Sequence, residues 1–431
     1  MDSSSPQDAV FIDGCRTPFL RSSSGFSDLT ANDLARTVLK GLVTRTGLEP
    51  ATVGRIIMGC VIQNVHTSNV AREAALGAGF PSHVPAFTVT MACISSSQAV
   101  SSAIDLIRAG RANVVVAGGT ETLSDIPIQL KKNLRKRILE SRKAKSLPDY
   151  MDLITGLSPR DLVPEIPSIS EYSTGETMGE SADKLAAMFD VSREEQDAFA
   201  LRSHLAAAKA WSDGLLADEV MTVYVPPNFK PITRDNVFRS DTSIEKLSKL
   251  PPVFVKPFGT VTAGNSSPLT DGASATLLMS RETAGKYGFE PRAVFRDYEF
   301  VARNPGEELL LGPAYAIPEI LQRAGLSLDD IDVFELHEAF AGQVVAVLRA
   351  LESASFALER LGRREPVGRI PLDKLNVLGG SLSVGHPFGA TGARLVMTAV
   401  NRLHREDGRF ALVAACAAGG LGHAMLIERE S

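Results

Sequence analysis

One order of elements occurs twice in this chain. A strand at Ala9–Asp13, a helix over Thr30–Arg45 and a strand at Arg55–Gly59 open it. Far downstream come a strand at Ala293–Arg296, a helix over Ala314–Arg323 and a strand at Ile331–Leu336. Leu34, Val38 and Leu42 recur every four residues, and Thr30-x-x-Asp33 has the form of a capping box. Arg45-Thr46-Gly47-Leu48 is echoed by Arg323-Ala324-Gly325-Leu326, so in each copy a glycine stands where a helix C-cap needs one, with an apolar residue after it. The repeat continues. After Cys93 a helical pattern over Ser96–Ala109 leads to a strand at Val114–Ala117 and then Gly118-Gly119. After His386 a helical pattern over Ala390–Leu403 leads to a strand at Ala411–Ala415 and then Cys416. Strands alternating with helices give mixed sheets layered with helices, so the fold class is α/β. The duplication predicts two similar halves packed face to face.

The halves are not contiguous. Residues 1–124 and 256–290 read as the first half, 291–431 as the second, and 125–255 as an inserted domain of different character. The insertion carries KKNLRKRILESRKAK at 131–145, where eight Lys/Arg face one Glu. Leu130, Leu134 and Ile138 fall four apart and give a narrow apolar stripe on a basic helix. Leu147–Ser170 reads as irregular, and helices resume over Ser181–Phe189 and Arg193–Trp211. A net charge of −5 over 431 residues excludes a general nucleic-acid binder. The longest apolar runs, such as Ala411–Cys416, fall far short of the roughly 20 residues a bilayer span needs. The opening MDSSSPQDAV has neither a secretory nor a transit pattern, so a cytoplasmic location is expected, or a mitochondrial one if a presequence has been removed.

Four cysteines, Cys15, Cys60, Cys93 and Cys416, lie scattered without paired spacing, which suits a reducing compartment and single-thiol chemistry. Cys93 falls where a strand gives way to a helix. A thiol there is stabilised as thiolate by the exposed amides and the macrodipole. Ala92 and Ser95–Ser97 are small enough to admit a substrate, yet a buried cysteine packing as a small hydrophobe reads equally from this stretch. His386 lies in GGSLSVGHPFGATGAR, whose glycines let the main chain approach a ligand. The alternative is a histidine tied into a turn. His337 ends a strand, and Cys416 sits where a strand breaks into a glycine-rich turn, the kind of place where α/β proteins build sites. Two cysteines and two histidines have the atoms for a metal site but lack the short ligand pair that zinc sites usually contain, so no metal is expected. A cysteine beside a histidine is a covalent-catalysis pair.

These motifs carry a resemblance. MACISSSQA around Cys93, ETMGESAD at 176–183, GTVTAGNSSPLTDGA at 259–273, HEAFAGQ at 337–343, NVLGGSLSVGHPFGATGAR at 376–394 and CAAGGLGHAM at 416–425 resemble the thiolase superfamily over almost the whole chain. Within it they look most like the 3-ketoacyl-CoA thiolase β-subunits of fatty-acid oxidation trifunctional complexes. The resemblance implies a duplicated, layered α-β-α-β-α fold with an inserted loop domain. It implies that Cys93 carries the acyl group, His386 is the base, Cys416 exchanges a proton with the α-carbon, and His337 helps to stabilise the enolate. The backbone amides of Cys93 and Ala418 would form an oxyanion hole, and Ser267, Met178 and Phe340 would line the substrate and coenzyme A side. Thr177 departs from the histidine of short-chain relatives, which puts that contact in doubt. Coenzyme A is then a substrate and no cofactor is needed. The implied partners are acyl-CoA and CoA, a second copy or a tetramer, a hydratase/dehydrogenase α-subunit, and an anionic membrane surface reached through 131–157. Rival readings are an acetyl-CoA acetyltransferase working in the condensing direction, a decarboxylating condensing enzyme of ketoacyl-synthase type, which has no need of Cys416, and a non-catalytic scaffold subunit.

Overall fold

A computed structural model describes residues 5–155, 157–167 and 170–430. The first half begins with β1 (Ala9–Arg16), α1 (Ala31–Thr46), β2 (Arg55–Gly59), β3 (Ala86–Val89), α2 (Ser95–Arg108) and β4 (Val114–Glu121). The insertion follows with α3 (Lys132–Ser141), α4 (Leu147–Ile154), α5 (Met178–Met188) and α6 (Arg193–Ser212), and β5 (Thr270–Ser280) completes the half. The second half holds β6 (Ala293–Ala302), α7 (Gly312–Ala324), β7 (Val333–Leu336), α8 (Ala341–Glu352), α9 (Thr391–Arg405), β8 (Phe410–Ala417) and β9 (Leu421–Arg429).

Local chemistry explains the matched starts and stops. The Thr30 hydroxyl accepts from the Asp33 amide at 3.2 Å while the Asp33 carboxylate accepts from the Thr30 amide at 3.1 Å, closing the capping box of α1. Gly47 and Gly325 end α1 and α7 with the same φ of +67°, a left-handed conformation that costs a glycine little.

The duplication holds at the level of topology. In the first half the strand order is β2-β4-β5-β1, with β3 outside β2, and in the second it is β7-β8-β9-β6. The first pair of each series is parallel and the next two are antiparallel. The half-sheets join edge to edge where Val10 faces Val294 and Phe11 faces Ala293. Helices α2 and α9 form a central layer in contact with both, and their Ile104, Ile107, Val396 and Val400 share one apolar cluster with Phe11, Leu278, Val413 and Ile427. A second cluster lies under α1 and a third under α7 and α8. The result is the layered α-β-α-β-α arrangement.

Two of the boundaries that differ from the sequence reading bear on the site. Strand β4 runs through Gly118 and Gly119 to Glu121, because Gly118 lies so close to β5 that a Cβ there would come within 2.1 Å of the Ser274 carbonyl oxygen. Strand β8 runs through Cys416, which pairs with Gly422, so the thiol sits inside the strand rather than past its end. Part of the stretch read as irregular is helical. Ser146 and Asp149 build a capping box at the start of α4, with Pro148 in its first turn. Residues 156, 168 and 169 of that stretch lie outside the described residues.

Within 125–255, α5 and α6 bury Ala182, Leu185, Phe199 and Ala200 in the cluster that also holds Val344 and Val347 of α8. Helices α3 and α4 bury no residue. They touch through the Arg137 guanidinium, which donates to the Asp152 carbonyl at 2.8 Å. Among the described residues no single helix is long and apolar enough to cross a membrane.

Candidate active site

The chain enters α2 through Ala92, whose φ of +46° is strained for a residue with a Cβ. Ser95 fixes that elbow: its hydroxyl accepts from the Met91 amide at 2.8 Å and donates to the Ala92 carbonyl at 2.7 Å. The elbow presents Cys93, partly open to solvent, with its own amide and the amide of Ala418 directed at the sulfur.

The small residues after it serve packing. Ser95, Ser96 and Ser97 are buried, and Ser96 accepts from the Ala393 amide at 3.1 Å where α2 crosses α9. Their size permits the crossing, since a Cβ on Gly392 would come within 2.2 Å of the Ser97 hydroxyl oxygen. The glycine at 389 has a similar role, because a Cβ on Gly119 would lie 1.8 Å from its carbonyl oxygen. The main chain at this point approaches main chain rather than a ligand.

His337 follows β7 and His386 precedes α9, and their ring centroids lie 4.1 Å apart. One ring nitrogen of each and the Cys93 sulfur all lie within 4.8 Å of one another. Cys416, on the neighbouring strand β8, is close enough for the Cys93 sulfur to raise its pKa further, after burial has raised it first. The structure therefore brings the four side chains into one centre. Of the three residues expected on the substrate side, Ser267 and Phe340 lie at the chain segment that carries His337. The Ser267 amide donates to the Ala339 carbonyl at 2.9 Å, and Ser266 bridges Phe340. Leu269 bridges His386, and Met178 packs on the cluster that contains Phe340.

Hydrogen bonding assigns the histidine tautomers. The Thr391 hydroxyl donates to the Pro387 carbonyl at 3.1 Å, so at 2.6 Å it accepts from His386 Nδ1–H. That leaves the buried His386 Nε2 a lone pair with no hydrogen-bond partner among the described residues. Ser381 Oγ accepts from Arg394 at 3.1 Å and faces His337 Nδ1 at 2.8 Å. Its hydrogen goes to that nitrogen, so the buried His337 Nε2, which has no hydrogen-bond partner among the described residues, carries the proton. One imidazole offers an acceptor and its neighbour a donor.

Burial sets the charge state and reverses one expectation. The Cys93 thiol is pushed up to about 12 by desolvation, against the pull of the two amides, with Glu121 and Glu171 adding to the rise. The helix terminus does not hold a resting thiolate here, because desolvation outweighs it. His337 is lowered to about 3 by burial and then by Arg394, and His386 falls well below its usual value through burial, His337 and Arg394. At neutral pH the centre contains neutral thiols and neutral imidazoles.

Several residues that hold the site escaped sequence reading. Asn376 pairs with Leu336 through both its amide oxygen and nitrogen at 2.8 Å and donates to Glu338 at 2.7 Å, locking the turn that carries His337. Ser203 of the insertion also donates to Glu338, at 2.7 Å. Thr391 and Ser381 stand inside the quoted motifs, but nothing in the sequence indicates which histidine nitrogen each would reach. A further cavity of about 190 Å³ is lined by Arg21, His204, Arg239, Lys246, Ser266 and Pro268, beside Ser267. Among the described residues Arg21 and Arg239 make no ion pair, and burial together with these two cations lowers the pKa of His204 to about 4. Asp241 lines the same cavity and pairs with Lys246 at 2.8 Å, and a separation of 218 positions hid the meeting of Arg21 and Arg239 in the sequence.

A duplicated five-layer fold with a cysteine and two imidazoles gathered at its central helix starts is the architecture of a cysteine-dependent acyltransferase. Residues 9–282 match the family description "Thiolase, N-terminal domain" and residues 289–429 match "Thiolase, C-terminal domain", so the chain belongs to the thiolase family. It is 55% identical over 97% of its length to the Bos taurus trifunctional enzyme subunit beta, mitochondrial, covering 88% of that protein. It is 52% identical over 97% of its length to a probable 3-ketoacyl-CoA thiolase of Caenorhabditis elegans, covering 93% of it. The crystal structure of the Bacillus anthracis acetyl-CoA acetyltransferase superposes with a TM-score of 0.84 at 33% identity, covering 99% of this chain and all of that one.

Proposed function

We propose that this enzyme cleaves 3-ketoacyl-CoA with CoA to acetyl-CoA and a shortened acyl-CoA. The observation that carries the reading is the convergence of two amides and two complementary imidazoles on the Cys93 sulfur. His386 Nε2 takes the thiol proton as the sulfur bonds to the keto carbon. The developing alkoxide lies against the Cys93 and Ala418 amides. The Cα–Cβ bond breaks as the alkoxide collapses to a thioester on Cys93, and the electron pair leaves as the enolate of acetyl-CoA, which His337 Nε2–H stabilises. Cys416 gives the enolate its proton. The proton that His386 took from Cys93 then restores Cys416, which frees His386 Nε2; CoA gives its thiol proton to that nitrogen as it attacks the thioester, and the departing Cys93 sulfur takes the proton back. Pre-aimed donors of this kind contribute about 3–4 kcal/mol each. A buried thiol at Cys416 favours this route over a decarboxylating condensing enzyme, which needs no second cysteine.

The cavity beside Ser267 supports CoA as co-substrate, since Arg21 and Arg239, which make no ion pair among the described residues, supply cations for its phosphates. We read 1–124 with 256–290 and 291–431 as the two halves, and 125–255 as an insertion. Its helices α3 and α4 expose Ile138, Leu139, Leu147, Met151 and Ile154 beside the basic run, which supports contact with an anionic membrane surface through 131–157. Gly156 of that range lies outside the described residues. The name of the Bos taurus relative supports an α-subunit partner and a mitochondrial location. The test is thiolysis of a chain-length series of 3-ketoacyl-CoA substrates with intact-mass detection of the acyl adduct. Turnover that Cys93→Ser abolishes, with the adduct on residue 93, is expected. No thiolysis at any length, or an adduct elsewhere, overturns the reading.

A further inference from the structure

The amide of Ala418 belongs to a turn, Ala417–Gly420, that two separate parts of the chain hold. At one end the Gly420 carbonyl accepts from the Arg303 amide at 2.8 Å. Next to Ala418, the Gly419 amide donates to the Glu171 carboxylate at 2.8 Å, and Glu171 comes from the insertion, 248 residues away. Gly419 and Gly420 have φ of +84° and +70°, and a Cβ on Gly419 would meet only the Leu421 side chain. Two adjacent glycines with little packing around the first form a turn that its own sequence does not fix.

Glu171 is itself held firmly. Its amide donates to the Glu176 carbonyl and its carbonyl accepts from the Gly175 amide, both at 2.8 Å, closing a tight turn. That turn runs straight into α5, where Thr177 and Glu180 form a capping box. Lys184 of α5 binds the Glu176 carboxylate at 2.5 Å and the Gly306 carbonyl at 2.9 Å, anchoring the whole to the second half. The carboxylate is also near enough to Cys93 to raise its thiol pKa.

The geometry points to Glu171 as a positioning residue: by binding the Gly419 amide it sets the turn so that the Ala418 amide faces the Cys93 sulfur. The inference rests on the thiolase reading above, with Glu171 acting through the turn and touching no substrate. A Gln at 171 keeps the acceptor oxygen and an Ala removes it, so the pair separates geometry from charge.

Glu171→Ala and Glu171→Gln are compared with wild type in thiolysis of one 3-ketoacyl-CoA and in hydrogen exchange of the peptide containing 417–421. For Glu171→Ala the expected result is about a tenfold loss of kcat, with KM within about twofold, since the donor is displaced rather than deleted. Exchange in 417–421 should quicken about tenfold. Glu171→Gln should stay near wild type in both. Wild-type kcat in Glu171→Ala overturns the inference, as does unchanged exchange, and as does Glu171→Gln falling as far as Glu171→Ala. If the wild-type protein performs no thiolysis, the functional reading fails, and exchange alone decides whether Glu171 holds the turn.

Discussion

At residue scale the centre is defined by desolvation. A thiol raised to about 12 beside imidazoles held below their usual range stores no ion pair, so each proton moves with the bond change it serves. Alkylation of Cys93 by iodoacetamide should therefore still climb with pH between 8 and 10, followed by mass spectrometry. A plateau near neutrality would indicate a resting thiolate. The base depends on its tautomer, which Thr391 fixes. Thr391→Val keeps the shape and removes the acceptor for His386 Nδ1–H, so kcat should drop about 10- to 100-fold with little change in KM, measured in steady-state thiolysis. Cys93, His337, His386 and Cys416 could all be picked from the sequence, since each stands at or near an element end within a motif. Their protonation states could not, because burial is the sum of many distant segments.

At the scale of elements, much was written locally. The capping box at Thr30 and the left-handed glycines at 47 and 325 set both copies of one helix. The crossing of α2 and α9 was not legible, because the serines after Cys93 look equally suited to admitting a substrate. Packing shows otherwise, and Gly392→Ala should cost about 1–3 kcal/mol through overpacking, read as a lower denaturation midpoint. Helix α3 presents the opposite case, burying no residue and leaving its cations exposed or half-buried. Replacing five of the eight Lys/Arg of 131–145 by Ser should abolish co-sedimentation with anionic vesicles and leave neutral vesicles unaffected. Undiminished binding to anionic vesicles would remove membrane contact from the reading.

For the molecule as a whole, buried neutral histidines tie stability to pH. His204 is held at about 4, His337 and His423 at about 3, and His386 well below 6.5, in each case chiefly by burial. Unfolding returns each to its ordinary 6.5, so below that pH the unfolded chain binds more protons. Their contribution to stability is complete above pH 6.5 and is lost as pH falls toward the folded values, by about 1.4 kcal/mol per pH unit for each histidine. The Tm should fall between pH 7.5 and 5.5. His423→Leu, which sacrifices no hydrogen bond because both ring nitrogens lack a partner among the described residues, should make that fall shallower. A slope that ignores the substitution would contradict this account. The sequence alone determined the duplicated order of elements and their caps, since those follow from short-range periodicity and backbone preference, while its resemblance to thiolases singled out residues 93, 337, 386 and 416. Only the tertiary structure decided that residues 93, 337, 386 and 416 meet, that the thiol rests protonated, and that residue 171 reaches the turn beside it. Those outcomes depend on desolvation and on contacts across hundreds of residues, which no local stretch encodes.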